Sequence, residues 1–275
     1  TFLPVPPAAV DKAVAIFEHI SDDALAHAGV RLSFEPIRSW PRWPYCLRRF
    51  LLPFLPIPQL DFAVGDQGES EDEEEFLRYA NAARPDTLEE LVAPFEEHLQ
   101  PLIQGFFGAK ERVVTVSAQF IFGSAKTKTE AHRDFLSRNT VSLLTPLYEY
   151  TPEQAALHYW RFDENEQLYR TEKIERGRLR RTYHYRRGEA VVFSGDLFHQ
   201  TAPFKKPAEG WGSKRCRALF CVVFAAADGL RAEGKYDEII RNMRGPSGGF
   251  IMDPETEEWL TASVTTSEDS DGSGA

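Results

Sequence analysis

Apolar residues recur at two different spacings along this chain, and the change falls near Gly108. Before it, Val10, Val14 and Phe17 lie four and three apart and Leu91, Phe95 and Leu99 four apart each, and each set predicts a helix with one apolar face. Thr87-Leu88-Glu89-Glu90, just ahead of the second set, has the form of a capping box. After Arg112 the runs are short, β-branched and aromatic, with turn residues between them. They predict strands over 113–122, 132–136, 141–147, 155–162, 182–185, 190–193 and 217–224.

Helices followed by many short strands make the chain α+β, with the strands closing into a sandwich or barrel. We expect a helical, Pro-rich elaboration over 1–108, a strand-rich core over 109–260 and a disordered tail over 261–275, where Ser, Thr, Gly and acids replace apolar residues. Between the two helical stretches, Trp40 to Pro44 and Pro53 to Pro58 together hold five prolines and two tryptophans. That composition argues for ordered but irregular structure, its aromatics packed in the core.

Composition then narrows the classes. With 42% hydrophobic residues there is material for a core, yet no window approaches the roughly 18 uninterrupted apolar residues of a membrane span. The most apolar stretch, Phe50 to Ile57, is broken by Pro53 and Pro56, and no signal segment opens the chain. Cys46, Cys216 and Cys221 are an odd count, which fits a reduced, intracellular (cytoplasmic) protein.

A net charge of −10 opposes binding to nucleic-acid phosphates. The charge is uneven, however. Glu69 to Glu75 has six acids in seven residues and reads as an exposed loop, whereas Arg176 to Arg187 has six arginines and no acid. The arginine run reads first as solvated surface, and second as a rim that attracts an acidic substrate.

Against this background two short motifs bring chemistry. His132-Arg133-Asp134 is an H-x-D pair, and if extended it points His132 and Asp134 to one side and Arg133 to the other. The second motif is Gly195-Asp196-Leu197-Phe198-His199, a turn after the apolar run 190–193, which places His199 at a strand end. Two imidazoles and a carboxylate leave open positions on an octahedral ion, as in non-haem Fe(II) oxygenases. Beyond His199, Arg215 and Arg217 share a face at the head of the last apolar run.

The order H-x-D, a His 65 residues after Asp134 and an Arg 18 residues after that His resembles the Fe(II)/2-oxoglutarate-dependent dioxygenases over about Val113 to Phe224. The resemblance implies a double-stranded β-helix, the jelly-roll or cupin-like fold, with iron on His132, Asp134 and His199. It implies 2-oxoglutarate anchored by Arg217, with Arg215 in reserve, because a planar guanidinium bonds both oxygens of a carboxylate. Ser142 and Gln119 are further cosubstrate contacts on this reading, or else partners for buried backbone. The implied reaction is hydroxylation of a small molecule or protein side chain, with succinate and carbon dioxide as co-products and ascorbate as a possible reductant. Two other classes stay open at this point. Zinc on the same ligands would give a hydrolase-like site, and a metal-free jelly roll would be a binding module. Arg217 is needed by neither.

Overall fold

The computed structural model describes residues 1–26, 31–34, 60–66, 77–82, 85–124, 131–135, 137–160, 179–202, 216–236, 239, 251–252 and 259–260. Trp40 to Pro44, Pro53 to Pro58, the acidic run Glu69 to Glu75, Arg176 and Arg178, Arg215 and the tail over 261–275 lie outside them.

Two helices, α1 (Pro7–Ala26) and α2 (Pro85–Phe107), cover one face of an eight-stranded antiparallel sheet. Its strands are β1 (Phe2–Pro4), β2 (Arg31–Phe34), β3 (Leu60–Asp66), β4 (Leu77–Ala82), β5 (Val113–Ser124), β6 (Thr140–Pro146), β9 (Glu189–Ser194) and β11 (Cys216–Ala226). They run in the order β1-β9-β6-β11-β5-β4-β3-β2. A smaller sheet, ordered β10-β7-β8, comprises β7 (Ala156–Tyr159), β8 (Arg181–His184) and β10 (His199–Thr201). His132 extends it by an isolated antiparallel bridge to His199.

From β5 onward the chain visits main sheet, His132, main sheet, β7, β8, main sheet, β10 and main sheet. This alternation is the double-stranded β-helix that the sequence resemblance implies.

Period-two alternation in the central strands sorts their side chains into two cores. Ala218, Phe220, Val222 and Phe224 of β11 join Phe120 and Phe122 of β5 against Phe17 of α1 and Phe95 and Leu99 of α2. Phe95 and Phe120 lie 5.0 and 5.3 Å from the Phe220 ring. On the opposite face Leu219, Cys221 and Val223 pack with Leu144, Tyr183, Tyr185 and Phe193 in the space between the sheets.

Three expectations need correction. The stretch 1–108 is not simply helical: it contributes β1 to one edge of the main sheet and β2, β3 and β4 to the other. These strands are short or lie beside charged and Pro-rich segments, so their alternation has little length in which to show. The strand expected over 132–136 is reduced to the single bridge at His132, because the amide of Phe135 turns away to the Gly195 carbonyl at 2.8 Å. Finally, Thr87 does not begin its helix. Helix α2 starts at Pro85, which suits a first-turn position, and the Thr87 hydroxyl accepts the Asp61 amide of β3 at 2.9 Å.

Candidate metal centre and its surroundings

His132, Asp134 and His199 converge, each offering one ligand atom within 4.8 Å of the others. Asp134 Oδ1 stands 3.6 Å from His132 Nε2 and 3.4 Å from His199 Nε2.

Main-chain bonds fix this arrangement. The amides of His132 and His199 donate to each other's carbonyls at 2.8 Å each, and Phe135 N bonds Gly195 O one residue past Asp134. Gly195 N in turn donates to Thr140 O at 2.9 Å, so the turn before His199 and the start of β6 lock the H-x-D segment from both sides. Gly195 is required here by close approach, since a Cβ would stand 2.1 Å from Thr140 Oγ1 and 2.9 Å from the Phe135 ring.

His199 is 5% exposed, packed at 4.8 Å from the Phe193 ring and 4.6 Å from the His132 ring. Its Nδ1 lies 3.0 Å from Leu197 O. A carbonyl can only accept, so Nδ1 carries the proton and Nε2 presents its lone pair toward Asp134. Burial, the largest cause, holds the His199 imidazole below its ordinary pKa against the opposing pull of Asp134, which favours the neutral form a metal needs.

Asp134 is held from its other oxygen. Ser142 Oγ donates to Oδ2 at 2.8 Å, so Oδ1 alone faces the two imidazoles. Ser142 therefore contacts the carboxylate ligand itself. Gln119 sits opposite Cys221 in register and hydrogen-bonds its thiol.

Arg217, 2% exposed, projects from β11 on the face that also bears Leu219 and Cys221, and donates to Ala202 O at 3.4 Å. Tyr79 of β4 feels the charges of both Arg217 and Asp134. Burial and then Asp134 and Cys221 push the Tyr79 hydroxyl pKa up, while Arg217 pulls it down, so this ring lies within electrostatic reach of both Asp134 and Arg217. Tyr185 is likewise raised by burial and opposed by Arg217.

Sequence reasoning did not find Tyr79 or Tyr185. The only signal for Tyr79 was the short alternation of Leu77 to Ala82, which follows the acidic run.

Three other polar side chains of the strand-rich core, Asp196, Thr145 and His158, serve elsewhere. Asp196 accepts Ser194 Oγ at 2.7 Å and Arg138 Nε at 3.3 Å, which is turn chemistry; the carbonyl of Leu197 orients His199 instead. Thr145 donates to Glu189 O at 3.2 Å. His158 pairs with Thr182 Oγ1 at 3.0 Å on the small sheet and takes no part in the triad.

The donor set suits Fe(II). Two imidazoles and one carboxylate oxygen are the facial ligands of non-haem iron; the Asp134 oxygen stands 3.6 and 3.4 Å from the two histidine Nε2 atoms, against roughly 3 Å between neighbouring ligands on an ion with ~2.1 Å bonds, and all three ligand atoms lie within 4.8 Å of one another. Among the described residues no helix is long and apolar enough to cross a membrane.

No family model matches the chain and no curated protein sequence does. Its structure is similar to solved 2-oxoglutarate-Fe(II) oxygenases. A Pseudomonas putida prolyl-4-hydroxylase overlaps 82% of this chain and 91% of its own at 14% identity and a TM-score of 0.46. The alpha-ketoglutarate-dependent epimerase SnoN from nogalamycin biosynthesis overlaps 81% and 84% at 11% identity and 0.43. HygX from Streptomyces hygroscopicus, solved with nickel, 2-oxoglutarate and hygromycin B, overlaps 77% and 85% at 12% and 0.41. At such values the chemistry of the site has to follow from its own atoms.

Proposed function

We propose that this protein is a non-haem Fe(II)- and 2-oxoglutarate-dependent oxygenase that hydroxylates a small molecule or a protein side chain. The observation that supports it best is the convergence of His132, Asp134 and His199 on a double-stranded β-helix. Fe(II) with 2-oxoglutarate supplies an oxidant strong enough to attack an unactivated C–H bond, with succinate and carbon dioxide released.

The chain's own residues supply binding, orientation and shielding. His132, Asp134 and His199 would hold the metal on one side only, leaving its other positions for cosubstrate and dioxygen. Arg217 offers a buried, permanently charged fork for the far carboxylate of 2-oxoglutarate. Tyr79, kept protonated by burial and by Asp134, offers a neutral hydroxyl donor in the same space. Leu144, Leu219 and Val223 exclude water there. Ascorbate would act as an external reductant.

The test is an anaerobic titration of Fe(II)-loaded protein with 2-oxoglutarate, following the visible charge-transfer band of the chelate, in the parent and in His199→Ala. A band in the parent alone supports the reading. No band in either sinks it and redirects attention to zinc analysis, since a zinc site on the same ligands needs neither 2-oxoglutarate nor dioxygen.

A further inference from the structure

Asp134 approaches the imidazoles with one oxygen and Ser142 with the other. Ser142 Oγ, on a residue 1% exposed, lies 2.8 Å from Oδ2, whereas Oδ1 lies 3.4 and 3.6 Å from the histidine Nε2 atoms. Position 142 is set by the sheet: Ser142 pairs with Val223 of β11 on one side and Phe193 of β9 on the other. The hydroxyl is therefore a fixed point, and the carboxylate rotates to meet it.

We infer that Ser142 is a positioning residue that keeps Asp134 a one-oxygen ligand. This rests on the metal site proposed above. A free carboxylate readily binds a divalent ion through both oxygens. Were Asp134 to do so, the protein would fill four of six octahedral positions, and the two left would be consumed by a bidentate cosubstrate. Engaging Oδ2 in a hydrogen bond to a buried hydroxyl removes that option, because a charge-assisted bond of this kind is among the stronger ones a carboxylate can make. It also denies Oδ2 to any water on the metal.

The test counts metal-bound water on Mn(II)-loaded protein by water-proton relaxation, before and after 2-oxoglutarate, in the parent, Ser142→Ala and Ser142→Thr. The parent should hold three exchangeable waters and keep one after 2-oxoglutarate. Ser142→Ala, which frees Oδ2, should bind Mn(II) at least as tightly, lose about a third of the relaxation enhancement and keep no water with 2-oxoglutarate bound. Ser142→Thr, which retains the hydroxyl, should behave as the parent. Parent-like hydration in Ser142→Ala would overturn the inference while leaving the metal site intact. Loss of Mn(II) from Ser142→Ala with an unchanged circular dichroism spectrum would overturn it too, because a freed oxygen adds a metal bond. A parent that takes up no metal would instead sink the proposed function.

Discussion

His132 and His199 are joined twice through their backbones, amide to carbonyl in both directions at 2.8 Å, while their rings lie 4.6 Å apart. The two imidazoles are thus placed by main-chain bonds that no side-chain substitution removes. His132→Ala and His199→Ala should keep the far-ultraviolet spectrum of the parent yet lose Fe(II) affinity by more than the ~10–100-fold typical of removing a mere supporting partner. Metal content after dialysis, read beside circular dichroism, checks this; parent-like metal content in either variant would remove that residue from the site.

Arg217 is buried on the face of β11 that also bears Leu219 and Cys221, its guanidinium donating to the Ala202 carbonyl, and the proposed function gives that charge the far carboxylate of 2-oxoglutarate to meet. Arg217→Ala should raise the Kd for 2-oxoglutarate at least ~30-fold, the lower end of what truncating a buried charge partner costs, and leave Fe(II) affinity near that of the parent. Arg217→Lys should recover only part, having no planar fork. Isothermal titration of the metal-loaded protein measures both.

Gly195 has no room for a methyl group, with Thr140 Oγ1 at 2.1 Å and the Phe135 ring at 2.9 Å from a built Cβ. Gly195→Ala should cost about 1–3 kcal/mol as overpacking, seen as a lower urea midpoint at unchanged slope. Because the displaced Phe135 adjoins Asp134, metal affinity should fall in the same variant. An unchanged midpoint would mean that the turn yields without strain.

His158 is held below the ordinary histidine pKa by partial burial first, and then by the Arg180 and His184 charges nearby. The sign follows directly. Folding favours its neutral form, so its contribution to stability is complete above about pH 6.5 and is lost as pH falls through the window below that value. A proton NMR titration should place the His158 midpoint below that of an unstructured histidine. In Arg180→Ala the midpoint should move up; no movement would leave burial as the whole cause.

The parts of this molecule legible from sequence are those whose signal is local. The strands over 113–122, 141–147, 190–193 and 217–224 announce themselves by dense apolar runs, and β5, β6, β9 and β11 occupy those stretches. The H-x-D spacing similarly brings His132 and Asp134 together. What could not be read was pairing across distance. Nothing in Phe2-Leu3-Pro4 indicates that it lies against Glu189 to Val191, and nothing near Tyr79 indicates that β4 brings it within electrostatic reach of Asp134. Ser142 was visible as a polar residue in an apolar strand, but which oxygen it would seek depended on a turn eight residues earlier in the chain.

The edges of the main sheet have a consequence for how the chain is made. Strand β1 registers Phe2 with Val191, while β4 registers Leu77 with Gly123, so both flanks of the jelly roll are supplied by residues translated before it. Strand β1 cannot pair until β9 has been made. In the interval the apolar stripe of α1, with Val10, Phe17 and Ile20, has no completed sheet to cover. Closing so long a loop places assembly among the slower topologies, on the order of milliseconds to seconds. The apolar face of α1 is therefore open to chaperones and proteases for as long as β9 remains unmade.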